Sequence, residues 1–120
     1  MNIDNINEIG VFVKIPDTAQ IAIAISRTKS FYRFYAMPTF EEGSTPFTPK
    51  LFEEIVAVIL NSQDEKSTPL PDDLKVQFTI FENEKRTDID STNVTYEKLC
   101  KITNLLCAHY PDYSLLRPFL

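Results

Sequence analysis

Few residues in this chain are equipped for bond-making chemistry. There is one histidine, His109, and there are two cysteines, Cys100 and Cys107. The cysteines stand seven apart on a predicted helix. That spacing puts them on one face but about 10 Å apart along the axis, too far for a disulfide. Reduced, buried thiols are the expectation. His109 falls near the end of the same helix, where an imidazolium interacts favourably with the helix dipole. No serine or cysteine nucleophile stands at a recognisable spacing from it. Cys100, Cys107 and His109 also lack the ligand spacing of a zinc site. Asp88 and Asp90 open like a calcium loop, but Asn93 and Leu99 occupy the positions that need glycine and glutamate. With only Gly10 and Gly43 in the chain, no glycine-rich phosphate loop can form. The chain is expected to be no enzyme and to use no cofactor and no metal.

Carboxylates are plentiful. Glu41-Glu42, Glu53-Glu54, Asp64-Glu65 and Asp72-Asp73 form adjacent pairs. General acid–base catalysis needs one carboxyl in an apolar pocket, and nothing in these neighbourhoods supplies it. Adjacent acids of this kind read as solvated surface. Their distribution is more telling. Residues 41–97 hold thirteen acids against five bases, whereas both flanks are slightly basic and the whole chain carries −5. An acidic middle attracts basic partners and repels nucleic acid. The segment Arg27 to Tyr35 mixes cations with aromatics, as single-strand readers do. The overall acidity and the predicted strand order argue against that use.

The elements that position these residues follow from periodicity. Ile9, Val11, Val13 and Ile15 alternate with smaller or polar residues, as do Ile21, Ile23 and Ile25, which predicts strands. Phe31 to Met37 reads as a third. Glu41 to Pro46 reads as a loop. Thr48 and Pro49 then suit the cap and first position of a helix. Its apolar stripe is Leu51, Phe52, Ile55, Val56, Ile59 and Leu60, and Phe47 with Phe52 has staple spacing. Residues 63–73 read as an exposed loop. Leu74, Val76, Phe78 and Ile80 form the inner face of a fourth strand, and Glu82 to Asn93 reads as a second polar loop. Thr95 caps a second helix that carries Leu99, Ile102, Thr103, Leu106 and His109 on one face, with Val94 and Leu99 at staple spacing. Pro111 ends it.

These elements predict one domain, residues 1–120, of the α+β class. The architecture is a two-layer sandwich. A roughly four-stranded, mainly antiparallel sheet, in the order β-β-β-α-β-α, carries both helices on one face. The other sheet face would expose Phe12, Ala22, Ala24, Phe81, Phe31, Tyr35 and Met37 beside Arg33. Either the C-terminal tail or a partner is expected to cover so apolar a face. The N-terminus lacks the pattern of a signal peptide, and no apolar run approaches a membrane span. A cytoplasmic protein is expected.

A small acidic binding protein resembles, in type alone, the immunity proteins and antitoxins that neutralise toxic nucleases by blocking a basic cleft. Asp64, Glu65, Asp72, Asp73, Glu82, Glu84, Asp88 and Asp90 would then meet a basic protein partner, such as a toxin domain, with electrostatic steering of association. No nucleic acid and no membrane are expected as partners. The alternative is a structural or adaptor module that self-associates, as a homodimer, through the open sheet face.

Overall fold

The computed structural model describes residues 3–36, 39–60, 73–89 and 93–120. After a 3-10 turn at Ile3–Asn5, four strands follow in succession: β1 Ile6–Ile15, β2 Ala19–Ser26, β3 Lys29–Ala36 and β4 Thr39–Pro46. Helix α1 spans Pro49–Leu60. Strands β5 Lys75–Glu82 and β6 Lys85–Ile89 come next, then helix α2, Asn93–His109, and a 3-10 segment, Pro111–Phe119. The α+β class and the antiparallel pairing match the sequence reading. The strand count does not. The sheet has six strands, in the order β4-β3-β2-β1-β5-β6.

Both additional strands fall largely where the sequence predicts loops, and for one physical reason. Strands are legible when one face is buried, because burial imposes alternation. Strands β4 and β6 are the two edges of the sheet, and none of their residues is fully buried. Their side chains are mostly polar or charged on both faces, so no alternation marks them.

Local chemistry sets the turns. Asp17 has φ 61°, and Thr18 N–H donates to Ile15 C=O at 3.1 Å. With Pro16 at the preceding corner this is the geometry of a type II turn, whose third residue must be left-handed. Asn83, the first of the two residues joining β5 to β6, also has a left-handed φ of 56°. Thr48 caps α1 as expected, its Oγ1 accepting from Leu51 N–H at 3.3 Å. Thr95 instead lies inside α2, which begins at Asn93. Side chains of residues 93–95, and with them the Val94 staple, lie outside the described residues, as does Met37.

The core lies between one sheet face and the helices. Ile9, Val11, Val13, Ile21, Ile23, Ile25, Val76, Phe78 and Ile80 point into it from the sheet. Phe52, Ile55, Val56, Ile59, Leu99, Ile102 and Leu106 meet them from the helices. A buried cation links the helices: Lys98 of α2 donates from Nζ to the Ile59 carbonyl at 2.7 Å. It thereby satisfies an orphan carbonyl in the last turn of α1, at the negative end of the helix dipole. Arg27 ties the chain start to the sheet, donating to the Ile6 and Ile3 carbonyls at 2.5 and 2.9 Å while lying 4.7 Å over the Phe52 ring.

The C-terminal 3-10 segment packs on the helix side of the sheet, not on the open face. Tyr113, Leu116 and Phe119 are buried. The Tyr113 ring meets Tyr32 edge-on at 5.7 Å, and Phe119 meets Phe34 at 6.4 Å. The Tyr113 hydroxyl donates to Ser30 Oγ at 2.5 Å, and Ser30 donates onward to the Thr45 carbonyl at 3.5 Å. This segment therefore clamps the β3–β4 hairpin from within. No described helix is long and apolar enough to cross a membrane.

Candidate functional site

The face opposite the helices can be read row by row from the strand register. Phe40, Tyr35, Gln20, Lys14 and Lys75 make one row across the strands. The next runs Glu42, Arg33, Ala22, Phe12 and Gln77, and a third runs Ser44, Phe31, Ala24, Gly10, Thr79 and Asp88. Small residues at the centre leave a shallow depression of about 250 Å³, floored by Ala22 and Ala24 and walled by Phe31 and Arg33. Among the described residues four large hydrophobic side chains are exposed: Phe31 (37 %), Tyr35 (42 %), Phe40 (55 %) and Leu120. Three of these four lie on this one face of the β3–β4 hairpin. The exposure expected for Phe31 and Tyr35 is thus observed. Phe40 joins them because the supposed loop is a strand.

The hairpin is closely packed on its other face. A Cβ added to Gly43 would come within 2.5–2.7 Å of the Tyr32 ring, so that ring lies directly against the Gly43 backbone. Burial raises the Tyr32 hydroxyl above its ordinary pKa, with further contributions from Asp112 and Glu41. Those two carboxylates therefore lie near the same ring, Glu41 from β4 and Asp112 from the C-terminal segment. Glu42 projects to the opposite face, 3.8 Å from Arg33 across a largely exposed contact. Strand β4 carries no basic residue.

The acids singled out by sequence are placed as follows. Asp73 is exposed in the turn before β5. Glu82 ends β5, and Glu84 is exposed in the turn beyond it. The eight residues of β5 separate these positions by roughly 25 Å, so Asp73 and the Glu82–Glu84 pair stand at opposite ends of the sheet. Asp88 lies on the open face of β6, accepting from Thr79 Oγ1 at 2.9 Å and Arg86 Nε at 3.1 Å. The Arg86 hydrogen bond, then that of Thr79, holds its carboxyl below the usual range. Asp64, Glu65, Asp72 and Asp90 lie outside the described residues. Sequence reasoning passed over Phe40, Glu41 and Glu42 as a candidate surface. The signal available was Pro46, whose lack of an N–H suits an outward-facing edge position.

His109, expected on the apolar side of α2, is exposed at its C-terminus. It borders a cavity of about 130 Å³ with Thr48, Lys50, Leu51 and Glu54. Cys100 and Cys107 are half-buried free thiols. Burial, followed by the nearby Glu97, pushes the Cys100 thiol up, which leaves little thiolate for nucleophilic chemistry near neutral pH. No protein-family model matches the chain, and no curated protein was found to be similar to it.

Proposed function

We propose that this chain is a non-catalytic protein-binding module, of the immunity or antitoxin type, for a basic protein partner. The observation that carries the reading is the β3–β4 hairpin. It gathers the exposed aromatics Phe31, Tyr35 and Phe40 on one face beside Glu42, with Glu41 on the other face of the same hairpin, in a protein of net charge −5. Exposed aromatics supply contact area at low entropic cost and can receive cations on their faces. Carboxylates around them steer a basic partner into place. The acids of the segments flanking β5, Asp64, Glu65, Asp72, Asp73, Glu82, Glu84, Asp88 and Asp90, belong to the wider field that accelerates encounter.

The test is binding to a panel of basic and acidic proteins that includes the product of the neighbouring reading frame. A stoichiometric complex with a basic member, weakening steeply with salt, is expected. Neutralising Glu41, Glu42 and Asp112 together should slow association by about tenfold or more at low ionic strength. Failure of every basic protein to bind at low salt overturns the reading.

A second reading, self-association through the open sheet face, is favoured by one observation: the C-terminal segment leaves that face uncovered. Light scattering across a concentration series tests it. Dimers that Phe31→Ser abolishes would support it, and a monomer at every concentration would remove it.

A further inference from the structure

The β4 strand is an edge whose unpaired backbone groups can be identified. Its register with β3 pairs Lys29 with Pro46 and Ala36 with Thr39. Just beyond this ladder, Phe47 N–H donates to Thr28 C=O at 2.8 Å. Antiparallel pairs alternate between hydrogen-bonded and non-hydrogen-bonded, so Thr45, Gly43, Glu41 and Thr39 bond to β3. Phe40, Glu42 and Ser44 therefore turn their N–H and C=O groups outward, and Pro46 adds a fourth carbonyl. No described strand lies beyond them.

We propose that β4 is a strand-addition site for an extended basic segment of the partner protein, a mode that rests on the basic-partner reading above. Three observations select this occupant. First, strand β4 is accessible on both faces, and every one of its residues but Gly43 and Thr45 is exposed. Second, an added strand contacts β4 side chains directly, whereas β3 lies roughly 10 Å away from it, two strand spacings. The charges that choose the newcomer are thus Glu41 on one face and Glu42 on the other, while Arg33 and Lys29 stand one strand back. Opposite charges across a strand pair stabilise it and like charges destabilise it. Third, a second copy fits poorly. Antiparallel self-pairing centred on Glu42, the middle outward residue, would set two Glu42 carboxylates face to face. The far edge, β6, is only five residues long and bears Lys85 and Arg86 against a single acid, Asp88, which is already paired with Arg86, so it favours a basic strand less than β4 does.

The incoming segment is therefore extended, with adjacent lysine or arginine residues, one for each face, flanked by β-branched residues. Recognition of this kind draws affinity from main-chain hydrogen bonds and specificity from alternate side chains.

The test uses the full chain and a labelled peptide of about ten residues, enough to span an edge strand, with Lys-Arg at its centre among Val and Thr. Micromolar or tighter binding that falls with salt is expected. Ser44→Pro removes an outward N–H and leaves the bonds to β3 intact, so it should weaken binding by about tenfold or more. Ser44→Ala should not. Far-UV circular dichroism confirms that the proline variant folds. Independently of any variant, hydrogen exchange at the Phe40, Glu42 and Ser44 amides should slow when the peptide binds, with no change at Gly43 and Thr45. Undiminished binding by a folded Ser44→Pro chain, or protection confined to other amides, overturns strand addition. If no strand peptide binds while a folded basic protein does so and tolerates Ser44→Pro, strand addition falls and the basic-partner reading stands. If no basic protein binds at all, both fall.

Discussion

Two buried polar side chains do work that their residue types would not suggest. Lys98 uses its ammonium group to close the last turn of α1. Lys98→Met keeps the aliphatic stem and removes the donor, leaving the Ile59 carbonyl unsatisfied in a buried setting. Stability should fall by about 2 kcal/mol in urea unfolding, as for other charged hydrogen bonds. Tyr113 is fully buried, and burial raises its hydroxyl above the ordinary value of 10.0. The folded state therefore holds this proton at pH values where the unfolded chain releases it. The corresponding stability is fully present below pH 10 and drains away as the pH rises toward the folded-state value. Unfolding free energy measured from pH 8 to 11 should decline above about pH 10. Tyr113→Phe should flatten that decline while costing about 1 kcal/mol at neutral pH. An unchanged alkaline slope would show that other tyrosines set it; Tyr32 and Tyr96 are also raised by burial.

At the level of elements, the β3–β4 hairpin depends on a glycine that meets an aromatic ring. Gly43→Ala would drive a methyl group into the Tyr32 ring, itself backed by Tyr113, and overpacking of this kind costs about 1–3 kcal/mol. Hydrogen exchange should localise the damage, with β4 amides losing protection before those of β1 and β2. The same hairpin shows what the sequence could and could not convey. Ile9 to Ile15, Ile21 to Ile25 and Leu74 to Ile80 alternate because one face of each strand is buried, and all three strands lie where periodicity puts them. Thr48 and Pro49 likewise marked the start of α1. Strand β4 carries Phe-Glu-Glu-Gly-Ser with no buried face, so its pairing is dictated by β3 and the turn before it, not by its own pattern. Much of the candidate surface was invisible for that reason. The open face was foreseen through Arg33, Phe31 and Tyr35. What covers the helix side of β3 was not, because the spacing of Tyr113, Leu116 and Phe119 follows a three-residue turn in a stretch read only as an apolar tail.

For the whole molecule, the sheet order β4-β3-β2-β1-β5-β6 has a temporal consequence. Strands β1 to β4 form a meander of near neighbours, each paired with the strand beside it in sequence. The seam is the β1–β5 ladder, which joins Ile9 to Ile80 and Val13 to Val76. Contacts between such distant positions form slowly, because a long loop must close before they are rewarded. Truncating Val76 to Ala should therefore lower the folding rate in stopped-flow experiments if the seam forms in the transition state. A rise confined to the unfolding rate would place the seam after the barrier. During synthesis the four-stranded meander emerges first, with Ile9, Val11 and Val13 of β1 still without the C-terminal segment that packs against that strand. The growing chain thus presents a partly covered apolar sheet face to its surroundings until residues 111–119 leave the ribosome, and its yield in the cell will depend on how quickly those residues arrive.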